Sequence, residues 1–107
     1  MDSFKRREAD FEKRLALDEE LRFKTRARRN KLLGLWAAEQ MGLDSVAAQA
    51  YAAKLVEENV AVDDEDALAK SIGQAFERAK SEMSAHRILR TIEEMTAQAK
   101  QEISEGR

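Results

Sequence analysis

One histidine, no cysteine and four scattered glycines leave this 107-residue chain little with which to do covalent chemistry. A catalytic centre needs a base, a nucleophile or a metal cluster. His86 stands alone between Ala85 and Arg87, and a hydrogen-bonded or exposed structural histidine is the better reading of it. Without cysteine or a second histidine, His/Cys zinc sets are excluded. The carboxylate pairs Glu57/Glu58 and Glu93/Glu94 are adjacent in sequence and diverge on a helix, so they are poor acid–base or metal pairs. Glycines at 34, 42, 73 and 106 form no phosphate-cradling loop. No enzyme and no resident cofactor is expected.

Two other patterns have the spacing of a binding surface. The first is the basic run Lys24, Arg26, Arg28, Arg29 and Lys31. Such clusters meet phosphates and release counterions, which is the signature of nucleic-acid binding. Against that reading, the run shares a helix with an apolar segment, acidic residues are interleaved upstream, and the pI is about 5.5. A solvated helix face with ion pairs outweighs it. An anionic cleft on a protein and the phosphates of a nucleotide are the remaining candidates, and Arg28 and Arg29 could grip a phosphate bidentately. The second pattern is Phe4, Phe11 and Leu15, seven and then four residues apart, which align on one face of a helix. That stripe either packs on the rest of the chain or is an amphipathic ligand for a groove on another protein.

These residues have to be positioned by helices. Ala, Glu, Lys, Leu and Arg dominate, Pro is absent, and no segment alternates apolar and polar residues as a strand does. The expected fold is all-α: a four-helix bundle over residues 18–107 with a mobile N-terminal segment, residues 1–17. So few apolar groups in that arm cannot offset the ~1–2 kcal/mol per residue of backbone freedom lost on ordering. It is therefore expected to be disordered or weakly helical alone, and fully helical only against a partner.

The first bundle helix is expected over about 18–41, with Asp18, Glu19 and Glu20 favoured at its positive end and Gly42-Leu43 as a left-handed C-terminal stop. Leu21 and Phe23 open its apolar positions. Leu32, Leu33, Leu35, Trp36, Ala37 and Ala38 cover most of its circumference at ~100° per residue, which predicts a central, buried helix. Gly34 costs ~1 kcal/mol in mid-helix, so a neighbouring helix should cross close to its backbone. The second helix is expected over 45–59, capped by Asp44 or Ser45 and kept thin by alanines, with Val46, Ala50, Tyr51 and Leu55 supplying contacts. The third, about 64–81, starts at the acidic cluster 63–66 and carries the stripe Leu68, Ile72, Ala75, Phe76, Ala79, Met83. The fourth, about 84–104, carries Ile88, Leu89, Ile92, Met95, Ala99 and Ile103.

Length fits one domain. No window approaches the ~18 residues of a membrane span, the N-terminus has no apolar signal region, and the absence of cysteine suits a reducing compartment, so a cytoplasmic protein without membrane insertion, monomeric when free, is expected. Residues 1–31 carry 11 Lys/Arg and 7 Asp/Glu, a net +4, whereas residues 32–107 carry 8 and 14, a net −6. A basic segment joined to an acidic body could fold back on that body.

Asp18-Glu19-Glu20-Leu21-Arg22-Phe23-Lys24, then Ala27 to Glu39 and Met41-Gly42, closely resembles the zeta subunit family, small inhibitors of the F-type ATP synthase in alphaproteobacteria. The likeness continues more loosely through Ala50-Tyr51-Ala52 and residues 84–92. It implies a four-helix bundle with a mobile N-terminal segment that folds into a helix between subunits of the catalytic head (alpha, beta and gamma), on the cytoplasmic face, and stops ATP hydrolysis. On this resemblance Phe4, Phe11 and Leu15 are the buried face of the inhibitory helix, and Glu8, Glu12, Arg14, Glu19 and Glu20 make polar contacts. Some members also bind ATP or ADP weakly, though no residue here can be assigned to that. Where the family usually has an acidic residue after Phe4, this chain has Lys5-Arg6-Arg7. Where it often reads Phe-Ala-His-Asp, this chain has Leu15-Ala16-Leu17-Asp18, which removes a pH-sensitive position. The alternative is a bundle that binds nucleotide or nucleic acid, with weak or no inhibition.

Overall fold

Short polar caps divide the chain. In the computed structural model, which describes residues 3–107, each of four acidic or hydroxyl side chains takes up a backbone N–H that a helix start would otherwise leave unpaired. Asp18 accepts from Leu21 N at 3.2 Å, Asp44 from Ala47 N at 2.9 Å, Asp64 from Ala67 N at 3.0 Å and Ser84 from Arg87 N at 3.0 Å. The helices that follow are α2 (Glu19–Gln40), α3 (Ser45–Asn59), α4 (Glu65–Arg78) and α5 (Ala85–Ser104). Ahead of them lies α1 (Ser3–Leu17). There are five helices and no strand among the described residues. The first two residues of the expected arm lie outside them.

The helix stops are equally local. Gly42 takes a φ of 74°, and the N–H groups of Gly42 and Leu43 return to the carbonyls of Glu39 and Ala38 at 3.0 Å each. These are the paired bonds of a Schellman cap, as the Gly-Leu pair predicts. The same closure ends α4 three residues short of the expected 81. There Lys80 occupies the left-handed position at φ 55°, and Lys80 and Ser81 donate to Glu77 and Phe76. Met83 consequently belongs to the connector and packs on the core from there.

Helix α2 is the central element, packed against α3 and α5 and flanked by α1, while α4 lies on α5. The core is built from Leu33 and Ala37 of α2, Leu55 of α3, Leu68, Ile72 and Phe76 of α4, and Ile88 and Ile92 of α5. Trp36 meets Phe76 edge-on, with ring centroids 5.9 Å apart. Gly34 is where α2 and α3 cross: a β-carbon there would stand 2.7 Å from Ala52 Cα.

Several expectations need correction. Leu32, Leu35 and Trp36 are only half-buried, so α2 is covered on two sides and not all round. Its fully buried stripe runs Leu21, Thr25, Arg29, Leu33, Ala37, every fourth residue, and passes through a charged side chain. Phe23 is 47% exposed and Val46 80% exposed, because both point off the faces on which α2 and α3 meet their neighbours. Ala50, Ala79 and Leu89 are likewise exposed. Residues 3–17 are helical, and the surface they pack on is the body of the same chain.

Candidate functional site

The stripe Phe4, Phe11, Leu15 forms one face of α1, and that face is turned toward α5 and the start of α2. Phe11 is 4% exposed and is the one fully buried residue of the helix. Leu15 is half-buried beside Thr25 and Arg26. Phe4 is half-exposed at the rim of a groove between the two helices, with Arg7 and Glu8 on one wall and Ala97 and Gln101 on the other. Glu12 reaches across to α5, its carboxylate 3.6 Å from Lys100 Nζ. Glu8 and Arg14 are exposed. Lys5, Arg6, Asp10 and Lys13 are also exposed.

The join to α2 is a single non-helical residue. Asp18 is extended, at φ −116° and ψ 107°. Its N–H donates to Arg14 O at 2.9 Å, completing α1, while its side chain caps α2. Arg22 donates from Nη1 to Ala16 O at 2.9 Å and pairs through its other nitrogen with Glu19. Glu20 pairs with Lys24 at 3.5 Å, one turn on. The two acidic residues at the α2 start thus have partners on their own helix.

The basic run is engaged within the protein. Arg26 Nε donates to Val60 O at 2.9 Å. Arg28 Nη1 lies 2.6 Å from Glu102 Oε1, and Nη2 donates to the Arg107 carbonyl. Arg29 is buried, 3% exposed, with Nη1 3.2 Å from Asp63 and 3.7 Å from Glu65, and Nε donating to Asn30 Oδ1 at 3.1 Å. Asn30 in turn donates to Asn59 O at 3.2 Å. Lys24 and Lys31 are exposed. The arginines therefore tie α2 to the α3–α4 connector and to the C-terminal end of α5. A phosphate would have to displace carboxylates already in contact, which weighs against an anion-binding face.

Those ties were hidden in the sequence. Asp63 and Glu65 read as a helix cap, and they also balance a buried guanidinium 34 and 36 positions away. The available signal was that Arg29 falls on the four-residue stripe from Leu21 to Ala37. Glu102, inside the expected fourth helix, was not singled out by any pattern in the sequence. Hydrogen bonds from Gln98 and then from Arg28 hold its carboxyl below the ordinary glutamate range.

Among the described residues, no group of acidic or histidine side chains could hold a metal ion and no helix is long and apolar enough to cross a membrane. His86 is exposed near the start of α5. Among the described residues the Tyr51 hydroxyl finds no hydrogen-bond partner where it is buried, and burial pushes its pKa up.

Two features thus stand out: an amphipathic helix joined to the body through one residue, and a body held by long-range arginine contacts. No curated protein and no solved structure gives a significant match to the chain. The model of the family described as ATPase inhibitor subunit zeta matches residues 1–102, spanning α1 and most of the body, and the chain belongs to that family.

Proposed function

We propose that the chain is a regulatory inhibitor subunit of the F-type ATP synthase and that α1 is its inhibitory element, entering a catalytic interface of the head formed by the alpha, beta and gamma subunits. The observation that carries this is the construction of α1. It is a separate amphipathic helix of 15 residues, about 22 Å long, joined to the body through Asp18 alone. Phe4, Phe11 and Leu15 give it an apolar face of the kind that seats in a groove, read at spacings of seven and four. Glu8, Glu12, Arg14, Glu19 and Glu20 supply polar contacts along the rim, and Lys5-Arg6-Arg7 would meet anionic groups near the tip.

The chemistry asked of the inhibitor is obstruction. Each catalytic interface must open and close as the rotor turns. A rigid helix wedged into an open interface prevents closure without touching the nucleotide. On this reading the chain works as a monomer at the cytoplasmic face, the body orients α1, and the arginine contacts keep that body stiff. The basic run then has a structural role, and nucleic acid is not a partner.

The test is ATP hydrolysis by the cognate head with the full chain and with residues 1–17 deleted, the deleted protein being checked for intact helical content. The full chain should inhibit and the deleted chain should not. Equal behaviour would remove α1 from the mechanism.

A further inference from the structure

Wherever α1 docks, the body follows it on a short tether. Asp18 is the sole residue between α1 and α2, so Phe23, five positions on, lies within about 8 Å of the joint along α2. The other end of α2, a helix of 22 residues, lies about 33 Å away. An α1 seated in the catalytic head therefore brings one particular end of the body to the head, at whatever angle Asp18 sets. We propose that this end, with Phe23 and Val62, is a second docking surface of the inhibitor, and that it packs on an apolar patch of the head's outer surface beside the mouth of the interface. This rests on the reading of α1 as the element that enters the head.

The end of α3 explains why the surface is open. Helix α3 stops at Asn59, whose carbonyl accepts from the Asn30 amide, and Phe23 precedes Asn30 by about two helical turns, past the end of α3. Beyond that end the chain turns through Val60-Ala61-Val62, pinned to α2 by the Arg26 Nε bond to Val60 O at 2.9 Å. Phe23 is consequently 47% exposed and Val62 71% exposed. Exposed apolar side chains are ordinary where they are scattered, and what matters here is where they fall. The body's other large exposed apolar side chains, Leu43, Val46 and Leu89, lie toward the opposite end, where Ser81 meets Gln40 O. Only the Phe23 end is brought to the head by the tether itself.

Charge points to the same kind of partner. The carboxylates near this end already have cationic partners within the chain: Glu19 with Arg22, Glu20 with Lys24, and Asp63 and Glu65 with Arg29. Docking leaves these pairs together, so the surface that covers Phe23 and Val62 needs no matching charge. Removal of the two apolar side chains from water is then the main gain. Because α1 and this face belong to one chain, the second contact forms at high effective concentration and strengthens the hold without changing how α1 obstructs.

The test leaves residues 1–17 untouched and uses the full chain. Phe23→Asp/Val62→Asp places two charges on the face, and Val46→Asp, a comparably exposed apolar position at the far end, is the control. The concentration that half-inhibits ATP hydrolysis by the cognate head should rise about 5- to 20-fold in the double variant. Inhibition should still be complete at saturation, because α1 is intact. Val62→Asp alone, on a side chain mostly in water, should move the value the same way by a smaller factor, which separates lost docking from a folding defect at Phe23. Val46→Asp should match the parent. A half-inhibiting concentration in either face variant no higher than in Val46→Asp would overturn the docking surface, and so would incomplete inhibition by these variants at saturation. Phe11→Asp keeps the two readings apart: if it inhibits as well as the parent, α1 is not the inhibitory element, whereas its failure to inhibit leaves α1 in that role whatever the face variants do.

Discussion

Gly34 and Ala52 touch where α2 crosses α3, and a β-carbon on Gly34 would stand 2.7 Å from the Ala52 Cα and 3.0 Å from its Cβ. Helix propensity alone says that Gly34→Ala should stabilise by ~1 kcal/mol. The contact says the reverse, since the atom in the way is backbone and cannot turn aside. Overpacking of this kind costs ~1–3 kcal/mol, and separating the central helix from α3 places it at the upper end. Gly34→Ala should therefore lower stability by about 1–2 kcal/mol net. Chemical denaturation of the two proteins checks the sign, and a stabilised variant would show that the helices can move apart freely.

Lys80 offers the opposite case. It takes φ 55° to close α4, a conformation that costs a side-chain-bearing residue about 1 kcal/mol. Lys80→Gly keeps the two closing bonds to Glu77 and Phe76 and removes that cost. A gain of roughly 0.5–1 kcal/mol is expected, somewhat offset by the greater freedom of glycine in the unfolded chain. A thermal melt should show a rise of a few degrees.

The buried Arg29 should be easier to replace than to orphan. Arg29→Met fills the same space without a charge, and Asp63 and Glu65, both more than half exposed, return to water. Its cost should be about 1 kcal/mol, mainly the lost bond to Asn30. Removing both carboxylates in Asp63→Ala/Glu65→Ala leaves a buried guanidinium with the Asn30 oxygen as its main partner. That should cost about 2 kcal/mol, less than for fully buried partners because water already screens these two. Urea midpoints in the order parent, Arg29→Met, double variant are expected; the reverse order would show that the ion pair itself is strongly favourable.

Acid should loosen the α2–α5 contact through Glu102. Its folded pKa is lowered from 4.5, first by the Gln98 amide and then by Arg28. A lowered carboxyl pKa means stability that is present above the unfolded value and lost as pH falls through the folded one. The loss should therefore develop below the ordinary glutamate range. Glu102→Gln should be less stable than the parent near neutral pH, and the gap between them should narrow on acidification to about pH 3. Denaturation curves at the two pH values read this directly, and a gap independent of pH would assign the effect to packing.

The sequence alone determined what depends on a few neighbouring residues. Asp44, Asp64 and Ser84 cap helices because a short acceptor reaches an N–H three residues on, wherever the helix goes. Gly42 ends α2 for an equally local reason, and the cost of Gly34 in mid-helix announced a close crossing before its partner was known. The residues around Trp36 marked the central helix, though coverage on two sides could not be told from coverage all round. The tertiary structure decided what depends on distant partners. Arg28 and Arg29 look like an exposed basic patch until α5 and the α3–α4 connector arrive with Glu102, Asp63 and Glu65, 34 to 74 positions away. Phe23 and Val46 read as core residues because periodicity gives the faces of a helix but not which face meets a neighbour. The position of α1 was decided in the same way. Its stripe left packing on the chain and docking on another protein equally open, and the face that carries Phe11 is turned toward the start of α2 and toward α5, the latter 80 and more residues along, a contact that no local spacing encodes.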